Sequence, residues 1–333
     1  LSGINLKMSD YLKKGVQGSL IVFIFIILAN ICGYFTRIFL ARTITPEEYG
    51  LFYAVFTLFM FVGVFTDLGY SQAIIKYIPQ YLAERKFENI KKVIFSIFLI
   101  ELFLSIIAMI GIFFLKNFLA EHYYHNILAI PAIEIFLVIL LLNTLNGLFL
   151  TIFQSYQDFL KYGLLYFLSK FLFLAFSIAI FYFGLTKSIF LPTTAFLLSA
   201  IFTMLIFIPP VYILLKNVAK EKTNFLLNKT LFIEISNFAF PNLITSTAGL
   251  VIGYVDTMLL TYFVDLGLVG VYNAILPTVL MLSYFSGAVS TALFPMISEI
   301  WARKEYEKIN QSISLVYKYT LITIIPFSLI IFI

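Results

Sequence analysis

The chain has 333 residues, of which 62% are hydrophobic and only 12% charged, and its mean hydropathy is +1.01. A soluble domain carries about 25% charged residues, so this chain cannot cover a water-facing surface. That excludes an ordinary cytosolic enzyme, a disordered tail and a secreted disulfide scaffold, and the one cysteine, Cys32, can form no internal disulfide. The composition is that of an integral membrane protein.

A helix needs about 20 apolar residues to cross the hydrocarbon core. The hydrophobic pattern predicts nine spans, near 16–41, 50–75, 92–115, 131–155, 160–184, 188–215, 231–262, 266–295 and 312–333. The expected class is therefore all-α and polytopic. The first span is too long for a signal peptide and is followed by more spans. No connecting loop exceeds roughly 20 residues by this count, which leaves no room for an extramembrane catalytic domain.

The basic residues set the expected orientation. With the N-terminus in the cytosol, 17 of the 22 Lys and Arg residues fall on the inner side. Arg37, Arg42, Lys116 and Lys187 lie toward the outer side, and Lys170 sits within a span. The positive-inside rule thus predicts a cytosolic N-terminus; the expected location is the plasma membrane. It also accounts for the formal charge of +5 as topology, without nucleic acid.

An internal repeat follows. Residues 33–54 and 253–274 align at a constant offset of 220: Gly33-Tyr34 with Gly253-Tyr254, Gly50 with Gly270, and Ala54 with Ala274. Phe65 matches Phe285 at the same offset. Ala83 and Phe87-Glu88-Asn89-Ile90 match Ala302 and Tyr306-Glu307-Lys308-Ile309 at 219. Six spans separate the copies, so both run the same way through the bilayer. Parallel repeats of this kind build transporters, with the substrate site at the repeat interface. The expected domains are a six-helix lobe over 1–222 and the first three helices of a second lobe over 223–333.

The repeat region also carries a family resemblance. Arg37-Ile38-Phe39-Leu40-Ala41-Arg42, Thr45-Pro46-Glu47-Glu48-Tyr49-Gly50-Leu51-Phe52 and Thr66-Asp67-Leu68-Gly69 resemble the opening of the polysaccharide-biosynthesis, O-antigen-type flippases. These belong to the multidrug/oligosaccharidyl-lipid/polysaccharide exporter superfamily. Gly253-Tyr254-Val255-Asp256-Thr257-Met258 and Val269-Gly270-Val271-Tyr272-Asn273-Ala274 resemble the start of that family's second lobe. The resemblance implies 12 to 14 helices in two lobes and a central cavity. It implies that alternating access moves a polyprenyl-diphosphate-linked oligosaccharide to the outer leaflet, with the bilayer and polysaccharide-assembly proteins as partners. On that pattern the chain is expected to be a piece lacking the last helices. Cation-coupled drug export is the alternative within the superfamily. A membrane-embedded glycosyltransferase or polymerase is disfavoured, because no sizeable loop carries catalytic residues. No enzyme activity, cofactor or structural metal is expected, beyond a coupling cation or proton.

The individual residues have physical readings of their own. Thr45-Pro46-Glu47-Glu48 reads as a helix start: a hydroxyl cap, proline in the first turn and acids at the positive dipole end. Gly50 permits a close approach of helices, and Gly249 and Gly253 form a small-xxx-small face suited to tight packing. Charges within a span cost about 2.5–3.5 kcal/mol on insertion scales and face a cavity or a partner. Asp67, Glu101 and Lys170 all fall about 13–15 Å from the cytosolic edge, given a rise of about 1.5 Å per residue. Either acid is then expected to pair with Lys170 or to form a site for a coupling cation or proton. Asn143 and Asn146 reach the same depth and can join either arrangement, or serve as interhelical glue. Arg37 and Asp256, near the outer ends of the first and seventh spans, are the candidate outer gate, with Arg37 also suited to a lipid diphosphate. The alternative for both is snorkelling to the interface. His122-Tyr123-Tyr124-His125 has metal-like spacing but reads as an interfacial aromatic loop. Glu134, after Pro131, reads as a first-turn acid. Glu234 and Glu299 are expected at the inner span ends within reach of water. The 39 phenylalanines read mostly as lipid-facing surface, some as platforms for sugars.

Overall fold

A computed structural model describes residues 2–186, 188–218 and 229–279, with scattered positions between 314 and 329. The described residues are helical with short turns. In chain order the helices are α1 (Ser2–Thr43), α2 (Pro46–Asp67), α3 (Tyr70–Ala83), α4 (Phe87–His122), α5 (Ala129–Ser155), α6 (Phe159–Tyr182), α7 (Phe190–Val218), α8 (Lys229–Phe263) and α9 (Leu266–Val279). Seven stretches among the described residues are long and apolar enough to cross a membrane: Leu20–Thr43 of α1, α2, α4, α5, α6, Phe190–Lys216 of α7 and Leu231–Phe263 of α8. The protein is a multi-pass membrane protein. Most of the predicted ninth span lies outside the described residues, as do the later repeat matches beyond Ala274 and the loop containing the expected lobe boundary at 222.

The second span ends earlier than the hydropathy suggests. Leu68 adopts a left-handed conformation (φ 49°) and Gly69 follows at φ 79°, so α2 stops at Asp67. A Cβ on Gly69 would drive into the backbone of Ala239 and lie 2.9 Å from the amide nitrogen of Leu243. The break is thus a point where chain reversal and contact with α8 both require glycine. Beyond it, α3 buries Tyr70, Ala73, Ile74, Tyr77, Ile78 and Tyr81 and turns its other face outward. It is an amphipathic helix rather than the continuation of a span.

The chain divides into two compact units, Leu1–Gly270 and Val271–Ile333. In the first, α1 packs on α6, α6 on α7, α5 on α4 and α7, and α2 on α5 and α8; α3 is wedged among α4, α5 and α8. Two packed layers make its core. One is aromatic: Phe52 and Phe59 lie 5.8 and 5.3 Å from Phe136, and Phe196 lies 5.9 Å from Phe136 and 5.2 Å from Phe173. Phe52 and Phe136 are fully buried, so part of the phenylalanine content is interior packing, neither lipid surface nor sugar platform. The other layer joins Ile74, Ile78, Ile90, Ile97, Phe153 and Ile235. Around both, side chains such as Phe23, Ile27, Phe103, Ile107, Ile110, Phe114 and Leu205 point outward. Exposed apolar surface on this scale is stable against hydrocarbon, not water.

Candidate functional site

Between the two core layers lies a cavity of about 310 Å³, lined by residues of α2 to α5 and by Leu250 of α8. Its polar wall consists of Thr66, Asp67, Ser71, Glu101, Asn143 and Thr144. Asp67 occupies the last position of α2, where the carbonyl end of a helix disfavours an anion. The adjoining start of α3 compensates. Asp67 Oδ1 accepts hydrogen bonds from the Ser71 amide at 2.9 Å and the Ser71 hydroxyl at 2.6 Å. Glu101, in mid-α4, is only 3% exposed and lines the same cavity as Asp67. Its Oε1 has no hydrogen-bond partner. Ser105, one turn on, shares a 2.9 Å hydrogen bond with Thr144, tying α4 to α5 beside the acids.

Lys170 does not join them. It forms no ion pair with an acid among the described residues. The reason is packing: α6 rests on α1, the helix of Arg37, while the acids sit on α2 and α4. Asp67 and Glu101 thus line one cavity, and Lys170 stands on a helix that does not. Arg37 places its guanidinium 4.6 Å from the centre of the Tyr53 ring, a cation–π contact. Tyr53 in turn packs on Tyr49 at 4.7 Å, so Tyr49 of the first motif backs the platform under Arg37.

The asparagines separate as well. Asn143 lines the cavity, whereas Asn146 turns to α7 and donates to the Ala200 carbonyl at 3.1 Å. Asp256 accepts a hydrogen bond from the Thr257 amide at 2.8 Å and makes further contacts, as does Arg37. His122 stacks on Phe118, and Nδ1 of His125 meets the Glu121 carbonyl. Among the described residues no three His, Cys, Asp or Glu side chains converge on a point. Glu134 is not a first-turn acid: α5 begins at Ala129, and Glu134 forms an ion pair with Lys116 of α4 across the connecting loop. Glu234 is exposed, as expected, and Glu299 lies outside the described residues.

The repeat is visible as structure at the two turns it contains. Thr45 caps α2 through a capping box: the Glu48 amide donates to Thr45 Oγ1 at 3.3 Å and the Thr45 amide to Glu48 Oε2 at 3.1 Å. Asp265, 220 residues on, caps α9 by accepting the Leu268 amide at 3.0 Å. The backbone bonds Ile44 to Leu40 and Tyr49 to Thr45 recur as Val264 to Leu260 and Val269 to Asp265. The two helix starts also cross each other. A Cβ on Gly50 would overlap the Leu266 carbonyl and lie 2.7 Å from the Gly270 amide nitrogen; one on Gly270 would overlap the Pro46 carbonyl and lie 3.1 Å from the Gly50 amide nitrogen. The contact is reciprocal, position 50 against 266 and position 270 against 46, as a local two-fold axis requires. Gly249 and Gly253 behave differently. A Cβ at either would meet nothing within 4 Å among the described residues, so the expected tight packing is not made with any of them.

Ser71 and Thr144 belong to the site although hydropathy and charge do not single them out. The signal that could have found them is spacing: Ser71 stands four residues after Asp67, and Thr144 follows Asn143.

This arrangement can be set beside known proteins. The profile of the polysaccharide biosynthesis protein family matches residues 16–301. The chain belongs to this family. It is 30% identical over 343 aligned residues to an uncharacterized membrane protein, MJ1068, of Methanocaldococcus jannaschii, with 96% of this chain and 65% of that protein covered. The chain thus spans just under two thirds of that relative. Among solved structures, the lipid II flippase MurJ in an inward closed conformation has a TM-score of 0.67 at 19% identity, covering 91% of this chain and 62% of that one. The MATE multidrug transporter DinF-BH has a TM-score of 0.60 at 19% identity, covering 96% and 71%. At these identities the likeness is one of fold, and the fold of this polysaccharide biosynthesis family member is that of helical transporters.

Proposed function

We propose that the protein is a transporter that flips a polyprenyl-diphosphate-linked oligosaccharide from the inner to the outer leaflet by alternating access. The observation that carries this reading is the presence of two cations, Arg37 and Lys170, on the adjoining membrane-spanning helices α1 and α6. Unbalanced positive charge within spans is costly in a low-dielectric setting. A diphosphate that passes along this helix pair offsets that cost. Arginine supplies bidentate hydrogen bonds to phosphate oxygens, and lysine supplies a compact point charge. Membership of a polysaccharide biosynthesis family supports a lipid-linked sugar as the cargo.

The N-terminus is cytosolic in this reading, so the crossing of α2 and α9 closes the outer side. Arg37 and Asp256 belong to the same outer region and act as its gate. Exchanging the two charges then restores transport that either single substitution abolishes; an exchange as inactive as the singles removes the gate from the reading.

The main test uses purified protein in vesicles loaded with a fluorescent polyprenyl-diphosphate oligosaccharide. An impermeant sugar-cleaving enzyme outside reports how fast the inner pool becomes accessible. The wild type is expected to expose it faster than empty vesicles, and Arg37→Ala and Lys170→Ala to slow it about tenfold or more, the loss of one charge-assisted hydrogen bond. If both variants match the wild type, the cation pair is not the headgroup site. Drug export is the competing reading, favoured by the two acids of the cavity. It replaces flipping if exposure equals that of empty vesicles while a cation gradient drives a hydrophobic dye outward.

A further inference from the structure

The two acids of the cavity are not used by a diphosphate-binding mechanism, and among the described residues no cation forms an ion pair with them. Glu101 is 3% exposed, its Oε1 is unpartnered, and its nearest charged group is another acid. A buried carboxylate in that setting pays for desolvation and for repulsion at once. Two carboxyls that line one cavity lower both costs by holding one proton between them. One carboxyl then donates its O–H and the other accepts it.

We propose that Asp67 and Glu101 form a proton-binding site in this lobe, sharing one proton inside the cavity and releasing it through the cavity during the transport cycle.

The surroundings agree with this assignment. From α3, Ser71 donates to Asp67, which fixes that carboxyl as the acceptor; the nearest cation on α3, Lys76, is instead stacked on Phe238 at 3.9 Å. From α5 come the neutral Asn143 and Thr144, while Glu134 of that helix is paired with Lys116. α7 carries its described charge at Lys216, in its last turn. α8 contributes Leu250 to the wall, with Glu234 and Asp256 many residues to either side. No positive group therefore faces Glu101 from the described elements packed around it. A metal ion fits less well, since both Ser71 donors already occupy Asp67 Oδ1 and no third acid, histidine or cysteine converges there among the described residues.

On release, the O–H bond breaks, the electron pair stays on the carboxyl, the proton passes to water in the cavity, and two carboxylates are left in the cavity wall. Their repulsion pushes α2 and α4 apart at this level. The break at Leu68-Gly69 is the adjacent point at which α2 can swing independently of α3. Protonation state and helix geometry are thereby linked.

The coupling part of this inference rests on the transporter reading; the proton site itself does not. Infrared difference spectra of the purified protein across a pH titration read the carbonyl stretch of a protonated carboxyl directly and need no substrate. The expected result is a band present at neutral pH, removed by alkali, unchanged by sodium at constant pH, lost in Glu101→Gln and shifted in frequency in Asp67→Asn, where Glu101 stays buried but loses its carboxyl partner. A band that persists in Glu101→Gln, or that keeps its frequency in Asp67→Asn, belongs to another carboxyl and overturns the proposal. So does its removal by sodium, which marks a metal-ion site, or its absence from the wild type at neutral pH. If Glu101→Gln does not fold, the frequency shift in Asp67→Asn, at the more exposed position, carries the test. In the vesicle assay, a proton gradient is expected to change the wild-type flipping rate several-fold and to leave Asp67→Asn unaffected. Gradient-independent flipping in the wild type overturns the coupling. A correct infrared band in a protein that flips nothing overturns the flippase reading and leaves the proton site standing.

Discussion

The turn between α1 and α2 and the turn between α8 and α9 trace the same backbone 220 residues apart, yet they keep different parts of their chemistry. Both have a capped helix start, both repeat the same two backbone hydrogen bonds, and both place a glycine five residues after the cap. The side chains around these features diverge. Thr45 and Glu48 make a reciprocal capping box, whereas Asp265 caps alone with Leu268 at the third position. Glu47 corresponds to Gly267, and the two lie next to each other, 3.7 Å from a Cβ on Gly267 to Glu47 Cγ. What is retained is what the mutual crossing demands, close backbone approach at Gly50 and Gly270. What has changed is whatever can be satisfied in more than one way.

The largest effects are expected at the crossing itself. Gly50→Ala and Gly270→Ala each force backbone from the opposing helix to move, because the obstructing atoms are carbonyl and amide groups rather than side-chain ends. Each is expected to lower stability by about 1–3 kcal/mol, as overpacking does, read as a fall in unfolding temperature in detergent. A single outward shift of the two helices relieves both clashes, so the double variant is expected to cost clearly less than the sum of the singles. Additive costs break the comparison, since they mean that the two glycines answer to separate contacts.

Gly253→Ala sharpens the contrast in the opposite direction. Gly253 and its repeat counterpart Gly33 both have open space where a Cβ would go. Alanine there removes the backbone freedom of glycine and meets nothing, so stability is expected to rise by up to about 1 kcal/mol. A loss comparable to that at Gly270 shows that this face is covered by something the crossing does not involve.

The same contrast explains what the sequence makes legible. Hydropathy finds the spans because each must bury roughly 20 residues in hydrocarbon regardless of its neighbours. The offset of 220 is legible because a capped start and a glycine are local chemistry. The lobe's charge arrangement is not. Depth along the bilayer normal puts Asp67, Glu101 and Lys170 at one level, but depth says nothing about direction around a helix axis or about which helices adjoin. The adjacency of α6 to α1 is a long-range fact, and it is what keeps Lys170 from the acids. The break after Asp67 is half legible: Gly69 is a turn signal, but the proximity of Ala239 that makes glycine necessary lies 170 residues away. Glu134 illustrates the same limit at short range, where Lys116 outweighs the helix end as its partner.

The smallest effects belong to the caps, and they decide whether the two turns are interchangeable. Thr45→Ala removes the acceptor for the Glu48 amide and the hydroxyl that Glu48 holds, and is expected to cost about 1 kcal/mol. Asp265→Ala removes one acceptor of the same kind and is expected to cost a similar amount. Thr45→Asp and Asp265→Thr each install the other turn's solution. Thr and Asp both satisfy an N-terminal amide in the extended conformation, which Thr45 adopts at φ −67° and ψ 154°. The swaps are therefore expected to stay within about 0.5 kcal/mol of the wild type. Thr45→Asp carries one asymmetry, because it sets a carboxylate beside Glu48 and trades the reciprocal box for a repulsion. Asp265→Thr has no such neighbour at position 268. If either swap is to show a penalty it is Thr45→Asp, and raising the salt concentration is expected to reduce it, because both acids sit at an exposed helix start where screening is effective.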